Sequence, residues 1–266
     1  LSLTSFRSQL SKPLIQTYDP VQVGYLAEEC IAVDEDDNIV GGVTKGDAHH
    51  VDTLALHRAF SLFAFTPDKK LILQKRSAEK ITFPLLWANT CCSHPLFIPT
   101  ELDGARGAVA AAVRKIGHEL GVADLRPEEC RIMGRFLYKA VMENSSWGEH
   151  ELDYAVVTSN MSLSRIQPNP SEVCDVRAVD EAELAEWVAS GMFWSCDCNQ
   201  SLQPGRCFRA VLIFAMVPSV PSTTFSVRLV GQYRSNRKAS CRHENCKNEL
   251  ILVAIVDLSH VDFLIF

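Results

Sequence analysis

Residues 89–95 read Asn-Thr-Cys-Cys-Ser-His-Pro, which sets a thiol, Cys92, two residues before an imidazole, His94. Upstream, His50 and His57 lie in HHVDTLALHRAF; downstream, Glu149 and Glu151 lie in WGEHELDY. Three imidazoles, two carboxylates and one thiol are the groups that a metal-assisted proton transfer needs. Mixed imidazole and carboxylate ligands suit Mg2+, Mn2+ or Zn2+, with geometry deciding among them. On a strand, positions i and i+2 share a face, so GEHE can present Glu149 and Glu151 to one site while His150 turns away. His50 and His57, seven apart, are separated by two helical turns or by a short extended span. Each residue alone is better explained as an ordinary surface or core residue. The whole set inside one domain is not.

A second cluster is cationic: Lys75, Arg76 and Lys80 in LILQKRSAEKITFP, and Arg114 and Lys115 further on. Diphosphate binding needs several cations or backbone donors converging on one anion. A solvated surface is the alternative use of the same charges.

The elements that must position these groups are legible in outline. ECIAVDEDDNIVGG places an acidic turn after a β-rich run and suggests a hairpin. FSLFAF and LILQKR are strand-like, with Thr66-Pro67-Asp68-Lys69 as the turn between them. ARGAVAAAVRKIGHELG, residues 105–121, is the strongest helix in the chain, rich in alanine and closed by Gly121. ELDYAVVTS reads as a strand. DEAELAEWVASG reads as a helix with Asp180 as N-cap and Gly191 at its end. Strands, hairpins and long helices in this order predict an α/β (α+β) fold, a mixed β-sheet packed between helices.

The chain has 266 residues, is 47% hydrophobic and carries a net charge of −6. That suffices for one substantial core with an appendage, and the charge gives no nucleic-acid footprint. No apolar run reaches the roughly 20 residues of a membrane span. Ten scattered cysteines do not form a disulfide framework and point to a reducing compartment. Three zones differ. Residues 1–25 form a leader without clear periodicity, a disordered tail or the stub of an organelle transit peptide. Residues 26–192 form the α/β domain. Residues 193–266 hold five of the ten cysteines and are net basic.

On the helix, Arg114, Ile116, Glu119, Gly121 and Val122 fit the back half of a Nudix box, REUXEEXGU, while Lys115 and His118 replace two of its acids. The front half of the box, a Gly followed after five residues by a Glu, is missing. Together with ECIAVDEDDNIVGG, HHVDTLALHRAFS, NTCCSHPL, FLYKA, WGEHELDY and NPSEV, the segment 25–192 resembles the type I isopentenyl diphosphate:dimethylallyl diphosphate isomerases of the Nudix superfold. The resemblance implies His50, His57, His94, Glu149 and Glu151 as metal ligands. It implies Cys92 and Glu151 as the catalytic acid/base pair, supported by Tyr138. Arg76, Lys80 and Lys115 would bind diphosphate, Glu119 would hold a Mg2+ shared with it, and Trp147 would face the carbocation-like species. A divalent metal, Mg2+ foremost with Mn2+ or Zn2+ open, and no flavin are implied. So are a small isoprenyl diphosphate as partner, neither nucleic acid nor membrane, a monomer, and a cytoplasmic location, or an organelle if the leader is a transit-peptide remnant.

The chain departs from that family in two places. The family's Phe-Pro-Gly is Phe83-Pro84-Leu85 here, and glycine is the residue kept where φ is positive, so Leu85 is expected to strain its turn. After residue 192 the family's Pro-Trp segment is absent. Trp194 stands near that place, and the tail to Phe266 follows no pattern of the family. CRHENC and CDC match no strong zinc spacing.

Overall fold

The computed structural model describes residues 18–142 and 145–190, together with the short strands 213–215 and 253–255. The chain divides into two compact units at Asp180/Glu181.

In the first unit, helix α1 (Pro20–Tyr25) starts because Asp19 accepts hydrogen bonds from the N–H groups of Val21 and Gln22, with Pro20 in the first turn. The end of the leader is therefore folded rather than featureless. Strands β1 (Glu29–Val33) and β2 (Ile39–Thr44) form the expected hairpin. Its acidic turn is drawn together by Asp34, which accepts from Asp36 and Asn38. Helix α2 (Lys45–His49) is capped by Thr44. Strands β3 (His57–Phe65) and β4 (Leu71–Arg76) follow, joined by the 66–69 turn with Lys69 at φ 65°. Short strands β5 (Trp87–Ala88) and β6 (Cys91–Ser93) precede helix α3 (Gly104–Leu120). Strands β7 (Cys130–Val141), β8 (Gly148–Thr158) and β9 (Val173–Val179) complete the unit.

Strand β3 is the hub. It pairs in parallel with β8 along residues 57–64, antiparallel with β6 at 60–62, and with β1 and β4 at its two ends. Every residue of β3 is buried. Strand alternation sends Phe60, Leu62 and Ala64 into the main core with Ala108, Ala111, Ala112, Ile116 and Leu120 of α3. His57, Ala59 and Ser61 take the other face. Small alanines let α3 lie close on the sheet. Gly107 continues this, since a Cβ there would strike the Glu101 carbonyl. Helix α3 ends as expected: Gly121 adopts φ 68°, and its N–H bonds the Gly117 carbonyl.

The second unit is described by helix α4 (Glu181–Ser190) and strands β10 (Ile213–Ala215) and β11 (Val253–Ile255), which pair in parallel. Helix α4 thus falls in the second unit, with Asp180 as the last residue of the first. Gly191, Trp194 and the CDC and CRHENC runs lie outside the described residues.

Candidate active site and metal centre

Three imidazoles converge on one carboxylate. His57 starts β3, and Glu151 stands directly opposite it on β8. His94 follows β6, and its Nε2 lies 2.8 Å from Glu151 Oε1. The His57 Nε2 lies 3.6 Å from the same oxygen. The third ring belongs to His49, its Nε2 4.0 Å from that oxygen. The three rings sit 4.8 to 4.9 Å apart, centroid to centroid. All four side chains are buried, and one ligand atom from each lies within 4.8 Å of the others.

His49 takes the place expected of His50. It lies on the last turn of α2, which turns it into the core at 1% exposure, with Nδ1 bonded to the Lys45 carbonyl at 2.8 Å. His50 is the residue on which the helix ends, in extended backbone. Its ring meets Trp147 edge-on, and its Nδ1 accepts from the Asp52 N–H. The seven-residue spacing is thus neither a helical nor an extended repeat: a helix end and a turn lie within it.

The trio fits a divalent cation. The Nδ1–H groups of His49 and His57 donate to the carbonyls of Lys45 and Ala55, each at 2.8 Å. That fixes the tautomer and leaves both Nε2 lone pairs bare, as backbone-anchored metal ligands require. His57 Nε2 and His94 Nδ1 have no hydrogen-bond partner although buried. Burial, and then the neighbouring histidines, hold His49 well below the usual imidazole range. Burial brings His94 down to about 3, so both rings are neutral at physiological pH. Burial opposes ionisation of Glu151, but the His57 and His94 imidazoles, the latter donating from Nε2, outweigh it and hold the carboxyl well below its ordinary value. The bare Nε2 lone pairs of His49 and His57 beside the anionic Glu151 are a donor set suited to a divalent cation.

Glu149 precedes Glu151 by two on the same strand face, half-buried. It is not among the four clustered ligands, yet its charge acts on Arg76, Cys92 and Asp153. Asp153, the next residue on that face, accepts from the Ser61 hydroxyl at 2.7 Å. Burial and the Glu151 charge push its pKa well up. Tyr138 stands opposite Glu151 in the β7–β8 register; its side chain lies outside the described part.

Cys92 sits on β6 opposite Ser61. Burial pushes its thiol up to about 12, against the pull of Arg76, so it stands as a protonated thiol. Cys91, on the other side of β6, is fully buried and donates to Glu119 Oε2 at 3.4 Å. Glu119 reaches from α3, accepts from the Gln74 amide at 3.0 Å and pairs with Lys115 at 3.1 Å. Despite its burial, Lys115, Lys80 and Gln74 bring its pKa down to about 2.

The expected diphosphate cations divide. Lys80 pairs with Glu172, and Lys115 with Glu119. Arg76 is committed elsewhere: its Nε and Nη2 donate to the carbonyls of Thr82 and Phe83, and its Nη1 points at the Cys92 sulfur, 3.8 Å away. Lys45, overlooked in the sequence, joins the two lysines. Burial, and then the charges of Lys80 and Lys115, bring its pKa down to about 8. Nothing in the sequence marked it, because the five-residue helix that carries it is too short for a readable period. Leu85 stands at φ 61°, as the missing glycine led one to expect. Trp147 is 1% exposed, packed with Leu26 and Ile81, and donates from Nε1 to the Tyr18 hydroxyl at 3.1 Å. Ahead of the helix, the Glu101 carboxylate takes Arg114 at 2.6 and 2.9 Å. Arg114 also donates to the His94 carbonyl.

Residues 55–193, just over half of the chain, match the NUDIX domain family. The chain is 46% identical over 169 residues to "Isopentenyl-diphosphate Delta-isomerase II, chloroplastic" of Arabidopsis thaliana, covering 60% of this chain and 58% of that protein. It is 45% identical over 177 residues to "Isopentenyl-diphosphate Delta-isomerase I" of Camptotheca acuminata, covering 63% and 74%. It is 44% identical over 178 residues to "Isopentenyl-diphosphate Delta-isomerase 1" of Bos taurus, covering 64% and 77%. The chain thus spans less than two thirds of the Arabidopsis protein and about three quarters of the other two. The histidine–glutamate centre, the Glu119 helix and these matches place the chain in the NUDIX domain family and, within it, in the isopentenyl-diphosphate Delta-isomerase family.

Proposed function

We propose that this chain is a metal-dependent isomerase that interconverts isopentenyl diphosphate and dimethylallyl diphosphate by a 1,3-allylic proton shift. The observation that carries the reading is the placement of a protonated thiol and an ionised carboxylate on the two flanks of one strand. Cys92, on β6, lies along one edge of β3. Glu151, on β8, lies along the other.

Moving an unactivated double bond by one carbon needs a proton added at one end and another removed at the other. The intermediate is a tertiary carbocation-like species, so acid and base must stand apart and water must be kept out. Cys92 holds a proton to give, and Glu151 is free to take one. Tyr138, whose backbone is in register with Glu151, would support the exchange. Trp147 is an aromatic face suited to the cation. Lys45, Lys80 and Lys115 bind the diphosphate, with Arg76 steadying the turn beside Cys92. At the centre of His49, His57, His94 and Glu151, with Glu149 beside it, Mg2+, Mn2+ or Zn2+ would supply a Lewis acid that fixes and polarises Glu151. Glu119 would hold Mg2+ on the diphosphate side. The enzyme works as a monomer in the cytoplasm.

Diphosphate hydrolysis is the competing reaction. Its box acids are replaced here by Lys115 and His118, and Lys115 neutralises the remaining Glu119. The deciding experiment gives the purified chain, with Mg2+ or Mn2+, isopentenyl diphosphate in D2O and follows the NMR spectrum. Deuterated dimethylallyl diphosphate, lost in Cys92→Ala, is the expected result. Release of phosphate without isomerisation would overturn the reading in favour of hydrolysis.

A further inference from the structure

Helix α1 contacts the cationic pocket at two places. Gln22 is 5% exposed, and its side-chain amide donates to the Ser171 carbonyl at 3.2 Å and to Glu172 Oε1 at 3.1 Å. The other oxygen of Glu172 holds Lys80. One turn further on, the Tyr25 hydroxyl lies 3.1 Å from His118 Nε2, and Lys115 Nζ lies 3.2 Å from His118 Nδ1. An ammonium has only protons to offer, so Lys115 donates to Nδ1 and His118 donates from Nε2 to the tyrosine. The Lys115 ammonium also lies 5.8 Å from the centroid of the Tyr25 ring.

From this geometry we infer that α1 is a strap that positions the substrate-binding lysines: Gln22 sets Lys80 through Glu172, and Tyr25 sets Lys115 through His118. The inference rests on the reading of Lys80 and Lys115 as diphosphate ligands. Glu172 is 2% exposed, and its loop is tied to the end of α3, where the Asn169 N–H bonds the Glu119 carbonyl. While Gln22 occupies one carboxylate oxygen, only the other is left for Lys80. Part of the ammonium's hydrogen-bonding capacity then stays available to an anion. Without Gln22, the buried carboxylate must satisfy both oxygens, and Lys80 is the nearest cation to do so. Tyr25 acts in parallel by fixing the His118 tautomer, which keeps Lys115 on the axis between His118 and Glu119. Gln22 and Tyr25 are positioning residues: both act through another side chain.

The test uses the full chain with Mg2+, inorganic pyrophosphate as titrant in calorimetry, and steady-state kinetics with isopentenyl diphosphate. In Gln22→Ala, the pyrophosphate Kd and the KM rise together by about 5- to 10-fold, with kcat within about twofold of the parent. Tyr25→Phe, which removes one oxygen and keeps the ring over Lys115, raises both by about threefold. Gln22→Glu, which sets a like charge against Glu172, weakens pyrophosphate binding more than Gln22→Ala does. Variants that bind pyrophosphate as the parent does would overturn the strap, as would a loss confined to Tm and kcat. If Gln22→Ala does not fold, Tyr25→Phe decides. A parent chain that fails to bind pyrophosphate would instead sink the diphosphate reading on which the strap rests.

Discussion

His49 and His50 are chemically identical neighbours with opposite fates, decided by one residue of helix. Side chains on α2 follow its turn, so the last helical position faces the sheet and the next leaves with the extended chain. His49→Ala should therefore weaken Mn2+ or Zn2+ binding by 10-fold or more, read by calorimetry on metal-stripped protein. His50→Ala, which loses an edge contact to Trp147 and a hydrogen bond from the Asp52 N–H, should bind the ion as the parent does; equal loss in both would return the site to His50. The types and order of the site residues were legible in the chain, because thiol, imidazole and carboxylate recur at spacings that chemistry limits. The choice between adjacent histidines was not, because it depends on where a five-residue helix stops. Leu85 was legible for the opposite reason, a local backbone rule. A non-glycine residue in the left-handed region costs about 1–2 kcal/mol, and glycine returns part of that through the greater freedom of its unfolded chain. Leu85 is 51% exposed, so little packing is lost. Leu85→Gly should raise stability by about 0.5–1 kcal/mol, seen as a higher urea midpoint with an unchanged slope.

At the scale of elements, periodicity and turn chemistry announced the β1–β2 and β3–β4 hairpins, α3 with its glycine stop, and β8. The pieces that complete the pocket were silent. Helices α1 and α2 have six and five residues, too short for a hydrophobic period to show. β6 has three, and its pairing with β3 is a long-range choice. The 169–172 loop shows how such pieces matter. Glu172 is buried between Gln22 and Lys80, and although burial opposes it, Lys80 and Lys115 hold its carboxyl below its ordinary value of 4.5. A depressed carboxylate contributes stability that is fully present above its unfolded pKa and is lost as pH falls through the folded one. Glu172→Gln should therefore cost about 2 kcal/mol near neutral pH, where it leaves a buried lysine short of its partner. The gap to the parent should narrow below pH 4.5, as the parent's own carboxylate is protonated. Urea titrations at pH 7 and pH 3.5 test this; a gap that is constant with pH would show that Glu172 acts through packing and not through its charge.

The whole chain is acidic, with a net charge of −6, yet the proposed substrate is an anion. The molecule resolves the conflict locally, by folding Lys45, Lys80 and Lys115 into one region and leaving most acids elsewhere. Composition could not reveal a small cationic pocket, because that pocket draws on residues 70 positions apart in the sequence. Concentrating positive charge has a measurable consequence. Lys45 stands at about 8 in the ligand-free fold against 10.5 for the free side chain, from burial and then from the two other lysines. A bound polyanion counters both effects and raises it again. Below pH 8 Lys45 is already charged, so binding takes up no proton there. Above pH 8 the pocket must draw a proton from solvent to bind, and affinity falls with rising pH at up to tenfold per unit. From pH 7 to pH 9 pyrophosphate binding should weaken about tenfold more in the parent than in Lys45→Arg, whose guanidinium stays charged throughout. Calorimetry at pH 9 in buffers of different ionisation heat should show uptake of close to one proton in the parent and less in the variant. Equal pH slopes for the two proteins would remove Lys45 from the anion pocket and leave Lys80 and Lys115 as its cations.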